Sequence, residues 1–304
     1  MNYSALLIKM CIFAVLLAVG YLSARKGAVS PEFAKSASWL IMNIFLTASI
    51  INSVLGDRPE LTNSEVAKGM MVLSFGQILL YLLAAAVIKL TGGEHAGLNF
   101  ILCAAVNNLF IGLPVVQSIY GSEAVFYVGM ECVPQNLLMY TVGVMFLKKG
   151  SGQKGFRLRD ILSAPLVASL ISLLIFVADI RMPKMITELF STVSSATVSI
   201  SMIVIGATLG QTEITEAVKE KDAWIITAVR LIIAPVLTFF ILRLFTDNEV
   251  LLFTAVVISG CSSGSVCTPV AIRHGCDASY TSKVIMVNTL LCIVTLPLLI
   301  YILF

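Results

Sequence analysis

The chain has 304 residues, of which 58% are hydrophobic and only 12% charged, and its mean hydropathy is +0.97. A soluble domain carries about 25% charged residues, so the composition excludes a water-soluble globule and points to an integral membrane protein. The formal net charge of +3 is too small to argue for nucleic-acid binding, and where the charges sit matters more.

Windows of about 20 residues predict ten spans, at 4–24, 34–54, 66–90, 96–119, 123–147, 161–180, 186–209, 222–245, 249–273 and 278–303. Only Lys9 precedes the first apolar run, and Arg25-Lys26 follow it. That order reads as an uncleaved first span with its N-terminus outside, not as a secretory signal. The longest polar connection, Lys148 to Asp160, holds Lys148, Lys149, Lys154, Arg157 and Arg159 and divides the chain into two sets of five spans. With the N-terminus outside, the inner loops hold Arg25, Lys26, Lys35, Lys89, those five, Lys219, Lys221, Arg273 and Lys283. The outer side holds Lys9, Arg58, Lys68, Arg181, Lys184 and Arg243. Thirteen against six is a positive-inside bias. It predicts a multi-pass protein of the cell membrane with both termini outside.

Spans four and nine carry the same interruption. The first reads Asn107-Asn108-Leu109-Phe110-Ile111-Gly112-Leu113-Pro114, and the second Ser262-Ser263-Gly264-Ser265-Val266-Cys267-Thr268-Pro269. A lipid-facing helix gains nothing from such a break, because freed backbone groups find no water; broken helices are tolerated where they line a cavity. A matched pair in two halves of a chain points to a transporter's binding site. Pro114 is followed by Gly121-Ser122-Glu123-Ala124 and Pro269 by Gly275-Cys276-Asp277-Ala278. A five-span unit repeated in one chain inserts upside down, so the halves, 1–150 and 151–304, are expected to form an inverted repeat. Scaffold and transport domains would each draw on both.

Pro suits the first turn of a helix, so Pro114 and Pro269 are read as restarting their helices after an unwound turn. Each restart offers free N–H groups and the positive end of a helix dipole. The expected site is therefore an anion site, with Asn107, Asn108, Gly112, Pro114, Ser262, Ser263, Ser265, Thr268 and Pro269 around it. The plain alternative is a pair of kinks packed against neighbouring helices.

Ionisable residues inside the membrane cost at least ~2.5 kcal/mol at mid-helix. Glu131 and Arg230 lie deep in spans five and eight and are read as gating or coupling groups, pairing with each other, holding substrate or moving a proton. The polar notch Pro134-Gln135-Asn136 places Asn136 as a substrate-selecting amide, against the alternative of simple interhelical packing. Asn43, Asn288 and Gln77 are weaker versions of that signal, and Gly143, Gly206 and Gly210 read as close helix approaches. The seven cysteines form no CxxC pair and behave as small hydrophobes. His95 and His274 stand near segment ends without a second ligand, so neither a metal, a cofactor nor an enzymatic triad is expected.

The run Asn107 to Gly121, NNLFIGLPVVQSIYG, followed by a fifth span with Asn136 and Thr141-Val142-Gly143, resembles the auxin efflux carrier family. Leu162-Ser163-Ala164-Pro165, the run Arg230 to Pro235 and the last helix from Ala278 to Pro297 are similar to that family, so the resemblance covers essentially the whole chain. It implies an all-α membrane protein of ten helices in two inverted five-helix repeats. Helices four and nine would be broken and cross at Pro, as in bile-acid-transporter-like elevator carriers. It implies a small organic anion such as malate or malonate as substrate, Asn108, Pro114, Asn136, Ser263 and Pro269 around it, and a homodimer through scaffold helices. The coupling ion stays open between H+ and Na+; a sodium-coupled symporter and an anion channel are the alternatives. Two features depart from the family. Ile44 to Ala48 lacks the usual Pro of span two, and span three has Gln77 without an acidic–basic pair, which argues against auxin itself.

Overall fold

Helix starts follow capping signals in the sequence. In the computed structural model, which describes residues 3–55, 59–148, 163–211 and 214–304, Ser30 caps Pro31 onward by accepting the Phe33 N–H. Thr62 and Glu65 form a reciprocal capping box. Ser163, Asn248 and Asp277 cap their helices in the same way. The resulting elements are α1 Tyr3–Arg25, α2 Pro31–Leu55, α3 Asn63–Thr91, α4 Ala96–Ala104, α5 Asn108–Leu147, α6 Ala164–Val177, α7 Lys184–Gly210, α8 Ile214–Ala217, α9 Lys221–Leu242, α10 Glu249–Ser259, α11 Cys267–Arg273 and α12 Ala278–Leu303. Arg58 and the central basic run Lys149, Lys154, Arg157 and Arg159 lie outside the described residues, as does Leu162.

The described fold is all-helical, and six of its segments (α2, α3, α5, α7, α9 and α12) are long and apolar enough to cross a membrane. Cys11–Arg25, α6 and α10 are shorter apolar helices. The expected fourth and ninth spans are each replaced by two helices. α4 stops at Ala104 and α10 at Ser259, and the chain restarts at Asn108 and Cys267. Gly121 then breaks α5 at φ 61°, ψ −139°, and Gly275 follows α11 at φ 66°. Glycine is needed at both, because a side chain disfavours the positive-φ region. Among the described residues, Ile41–Phe45, Asn108–Gly112, Met139–Gly143 and Val229–Ile233 wind as π-helical turns, which the sequence pattern does not mark. The first overlaps the start of the Ile44 to Ala48 stretch, which carries no Pro.

The chain divides into two compact units, each assembled from both halves of the sequence: Met1–Met70 with Leu109–Val133 and Ser163–Thr212, and Met71–Asn108 with Pro134–Leu162 and Glu213–Phe304. In the first unit α1 and α7 lie side by side. A Cβ on Gly20 would overlap the Ile203 carbonyl, one on Gly206 the Leu17 carbonyl, and one on Gly210 would meet that of Tyr21. Leu17 meets Gly206 and Tyr21, one helical turn on, meets Gly210, so the two helices run in the same direction. Close helix approach is thus the role of Gly206 and Gly210; Gly143, in the second unit, lies against Ile101 and Met139. Thr197 bridges α7 to α2, bonding Ser49 Oγ at 2.9 Å and donating to the Phe45 carbonyl at 3.1 Å. Ser172 of α6 donates to the Ile50 carbonyl at 3.0 Å.

In the second unit the first turns of α4, α9 and α12 are joined by side chains. Tyr280 donates to Asn99 Oδ1 at 2.6 Å, and Asn99 donates to Asp222 Oδ2 at 2.8 Å. The His95 ring stacks on Tyr280 with centroids 4.0 Å apart. Lys283 pairs with Glu220 at 2.8 Å. The α12 core buries Val284, Val287, Cys292 and Leu296.

Candidate functional site

Within the second unit the two interruptions meet. Val106 and Ser263 form an isolated antiparallel bridge: the Asn107 N–H donates to the Ser262 carbonyl, and the Gly264 N–H to the Ala105 carbonyl, both at 2.9 Å. The approach is that of two backbones, and a Cβ on Gly264 would stand 3.0 Å from the Val106 carbonyl oxygen.

A helix that stops inside an apolar protein leaves carbonyls that nothing downstream in the helix can satisfy, and each costs free energy unless it is paired. At the end of α4 the carbonyls of Ile101, Leu102 and Cys103, and that of Val106 beyond it, find donors. Ile101 accepts from Ala105 N–H, Leu102 from the Ser263 hydroxyl at 2.6 Å, Cys103 from Arg230 Nη1 at 2.7 Å and Val106 from Gln135 Nε2 at 2.9 Å. The α10 end is closed in a similar way. Arg230 Nη2 reaches Ser259 at 3.5 Å and Cys261 at 2.9 Å, its Nε reaches Cys261 at 3.2 Å, and Cys292 Sγ reaches Gly260 at 3.6 Å. Arg230 is 0% exposed and rises from the Val229–Ile233 π-turn of α9. A buried charge persists only when its donors are satisfied.

The expected site residues divide into two groups. Asn107, Asn108, Ser262 and Ser263 are buried at the crossing. Asn108 Oδ1 accepts from Gln135 Nε2 at 3.5 Å, and Ser262 Oγ accepts from Thr289 at 3.1 Å. The Ser263 hydrogen is committed to Leu102, which leaves that hydroxyl no donor for an anion. Ser265 and Pro269 are exposed, and Thr268 and Asn136 are half-buried. Thr268 Oγ1 lies 3.5 Å from Ser282 Oγ. Gly112 closes the π-turn that Asn108 opens, and Pro114 follows as the second residue of the α-helical continuation. Pro269 is the third residue of α11. Pro269 therefore falls in the first turn of its helix, whereas Pro114 stands beyond the π-turn that opens α5 and does not itself restart the helix. Glu131 is buried in the first unit, whereas Arg230 is engaged with carbonyls in the second.

Gln135, Thr289 and the buried Asn288–Thr227 pair (3.0 Å) are the polar partners that the sequence reading underrated. Gln135 had a signal, since it stands in the Pro134–Asn136 notch. Adjacent residues point about 100° apart on a helix, and periodicity does not say which of the two amides faces the crossing. Among the described residues no cluster of three or more His, Cys, Asp or Glu could hold a metal ion.

The sequence matches, over residues 5–300, a family described as membrane transport protein. It is also 26% identical over 294 residues to an uncharacterized transporter of Methanothermobacter thermautotrophicus, covering 93% of this chain and 94% of that protein.

Proposed function

We propose that this chain, which belongs to the membrane transport protein family of the auxin efflux carriers, is a secondary carrier of small organic anions such as malate or malonate. The observation that carries the reading is the backbone bridge between Val106 and Ser263, which joins two interrupted segments from opposite halves of the chain. Discontinuous helices meeting in this way are where transporters hold their substrates. In this reading ten spans form two inverted repeats, α4 and α10 with their continuations make helices four and nine, and both termini lie outside the cell membrane. The same-direction packing of α1 and α7 supports it, because helices one and seven of such a repeat cross the membrane in the same sense.

The carboxylate would be held by the side-chain amide of Asn107, with the Ser265 and Thr268 hydroxyls as further donors. Asn108 and Asn136 would shape the pocket and select among acids. The substrate would change sides by elevator-type alternating access, and the protein would work as a homodimer coupled to H+ or Na+.

The test is uptake and exchange of radiolabelled malate and malonate by purified protein in proteoliposomes, with and without proton and sodium gradients. Saturable transport, lost in the Asn108→Ala, Pro114→Ala double variant, is the expected result. Wild-type rates in that variant would reject the site. Single-channel currents would replace a carrier by a channel, and strict sodium dependence would turn the reading to a bile-acid-type symporter.

A further inference from the structure

α4 and α10, nine and eleven residues long, end at the same place. Each helix C-terminus carries the equivalent of about half a negative charge, so the crossing collects two of them. A buried anion site next to two such ends would be repelled by them. Arg230 is the group that answers both: one guanidinium donates to Cys103 at the end of α4 and to Ser259 and Cys261 at the end of α10. The planar fork of five donors can reach two helix ends at once, and its charge is never lost. The two half-charges and the single positive charge offset one another to first order.

We propose that Arg230 is the positioning residue of the crossing: it ties the two half-helix C-termini together, and its charge cancels their negative potential there, so that an anion is not repelled. It does so through the backbone and not by touching substrate, since its Nε, Nη1 and Nη2 all donate to carbonyl oxygens. This rests on the organic-anion reading above, and it deepens that reading by naming the residue that decides charge selectivity.

A charge effect scales with the charge of the ligand, whereas a packing effect does not. The experiment compares malate and malonate with their half-amides, which carry one negative charge fewer. Arg230→Gln is expected to raise KM about tenfold for the dianions and about threefold for the half-amides, the square root expected when the interaction energy halves. Gel filtration and thermal melting report whether the variant is folded. Equal increases for both ligands, or none, overturn the proposal. Arg230→Lys keeps a charge that can be titrated off. Its KM for the dianion should climb between pH 7 and pH 9.5 while that of the wild type stays level, and a flat profile also overturns the proposal. The lysine arm decides the matter if the glutamine variant does not fold. If the wild type transports neither acid, the anion-carrier reading falls and this inference falls with it. If the wild type transports and the variants show no charge dependence, only the inference falls.

Discussion

Gln135 holds the crossing through its side-chain amide, which donates to the Val106 carbonyl at 2.9 Å and to Asn108 Oδ1 at 3.5 Å. Removing one partner of a buried bond leaves the other with its full desolvation cost, about 1–3 kcal/mol. Gln135→Ala is therefore expected to lower the thermal midpoint of the detergent-purified protein. The exposed Thr192, which only returns a bond to its own helix, should tolerate Ala without a measurable shift. Equal midpoints for the two variants would remove Gln135 from the crossing. Gly264 is limited by space instead. A methyl at 3.0 Å from a carbonyl oxygen demands a displacement, and a branched side chain demands more. Gly264→Val should abolish transport and Gly264→Ala should reduce it, read by the same proteoliposome uptake. Cross-linking that finds residues 106 and 263 still adjacent in an inactive Gly264→Val would assign the loss to another cause.

Among the elements, the two reversing glycines are the plainest constraint. Gly121 and Gly275 take φ of 61° and 66°, where a Cβ costs about 1–3 kcal/mol. Nothing stands within 4 Å of a Cβ added at Gly121, so conformation and not crowding would be responsible. Gly121→Ala should destabilise by that amount in urea unfolding, and Gly76→Ala, which meets only a leucine methyl at 3.4 Å inside an ordinary helix, should be near neutral. These reversals were legible in the sequence because each needs a residue type that the helix itself does not. The interruptions were legible for the same reason: Gly, Pro and small polar residues have no business in a lipid-facing stretch. The π-turns were not. Val229 to Ile233 reads like any apolar stretch, and whether a turn widens depends on carbonyl partners far away in sequence. Arg230 was found by its cost inside the membrane, but its partners are backbone carbonyls, which every residue has and no motif marks. For the same reason a pairing with Glu131 looked as natural as the contacts the guanidinium makes.

For the whole molecule, the distribution of basic residues fixes an expected sidedness that single cysteines can read in a cysteine-free background. Residues placed at Glu94, Lys219 and Asp277 should react with an impermeant maleimide from the same side, and one at Lys184 from the other. Residues 94 and 184 reacting from one side would end the inverted-repeat proposal while leaving the crossing untouched. The first three positions stand near the Asn99–Asp222–Tyr280 network, which gathers three helix N-termini within the second unit.

The hydroxyl that closes the end of α4 comes from a serine 161 residues later. A ribosome that has delivered only the amino-terminal half has therefore inserted a stub whose carbonyls await donors not yet made. The early helices must wait, in lipid or in the care of the insertion machinery, until residue 264 has been synthesised. A protein arrested or cut at mid-chain would then be a substrate for quality control, not half of a working machine, and its two halves should rescue each other only when made together.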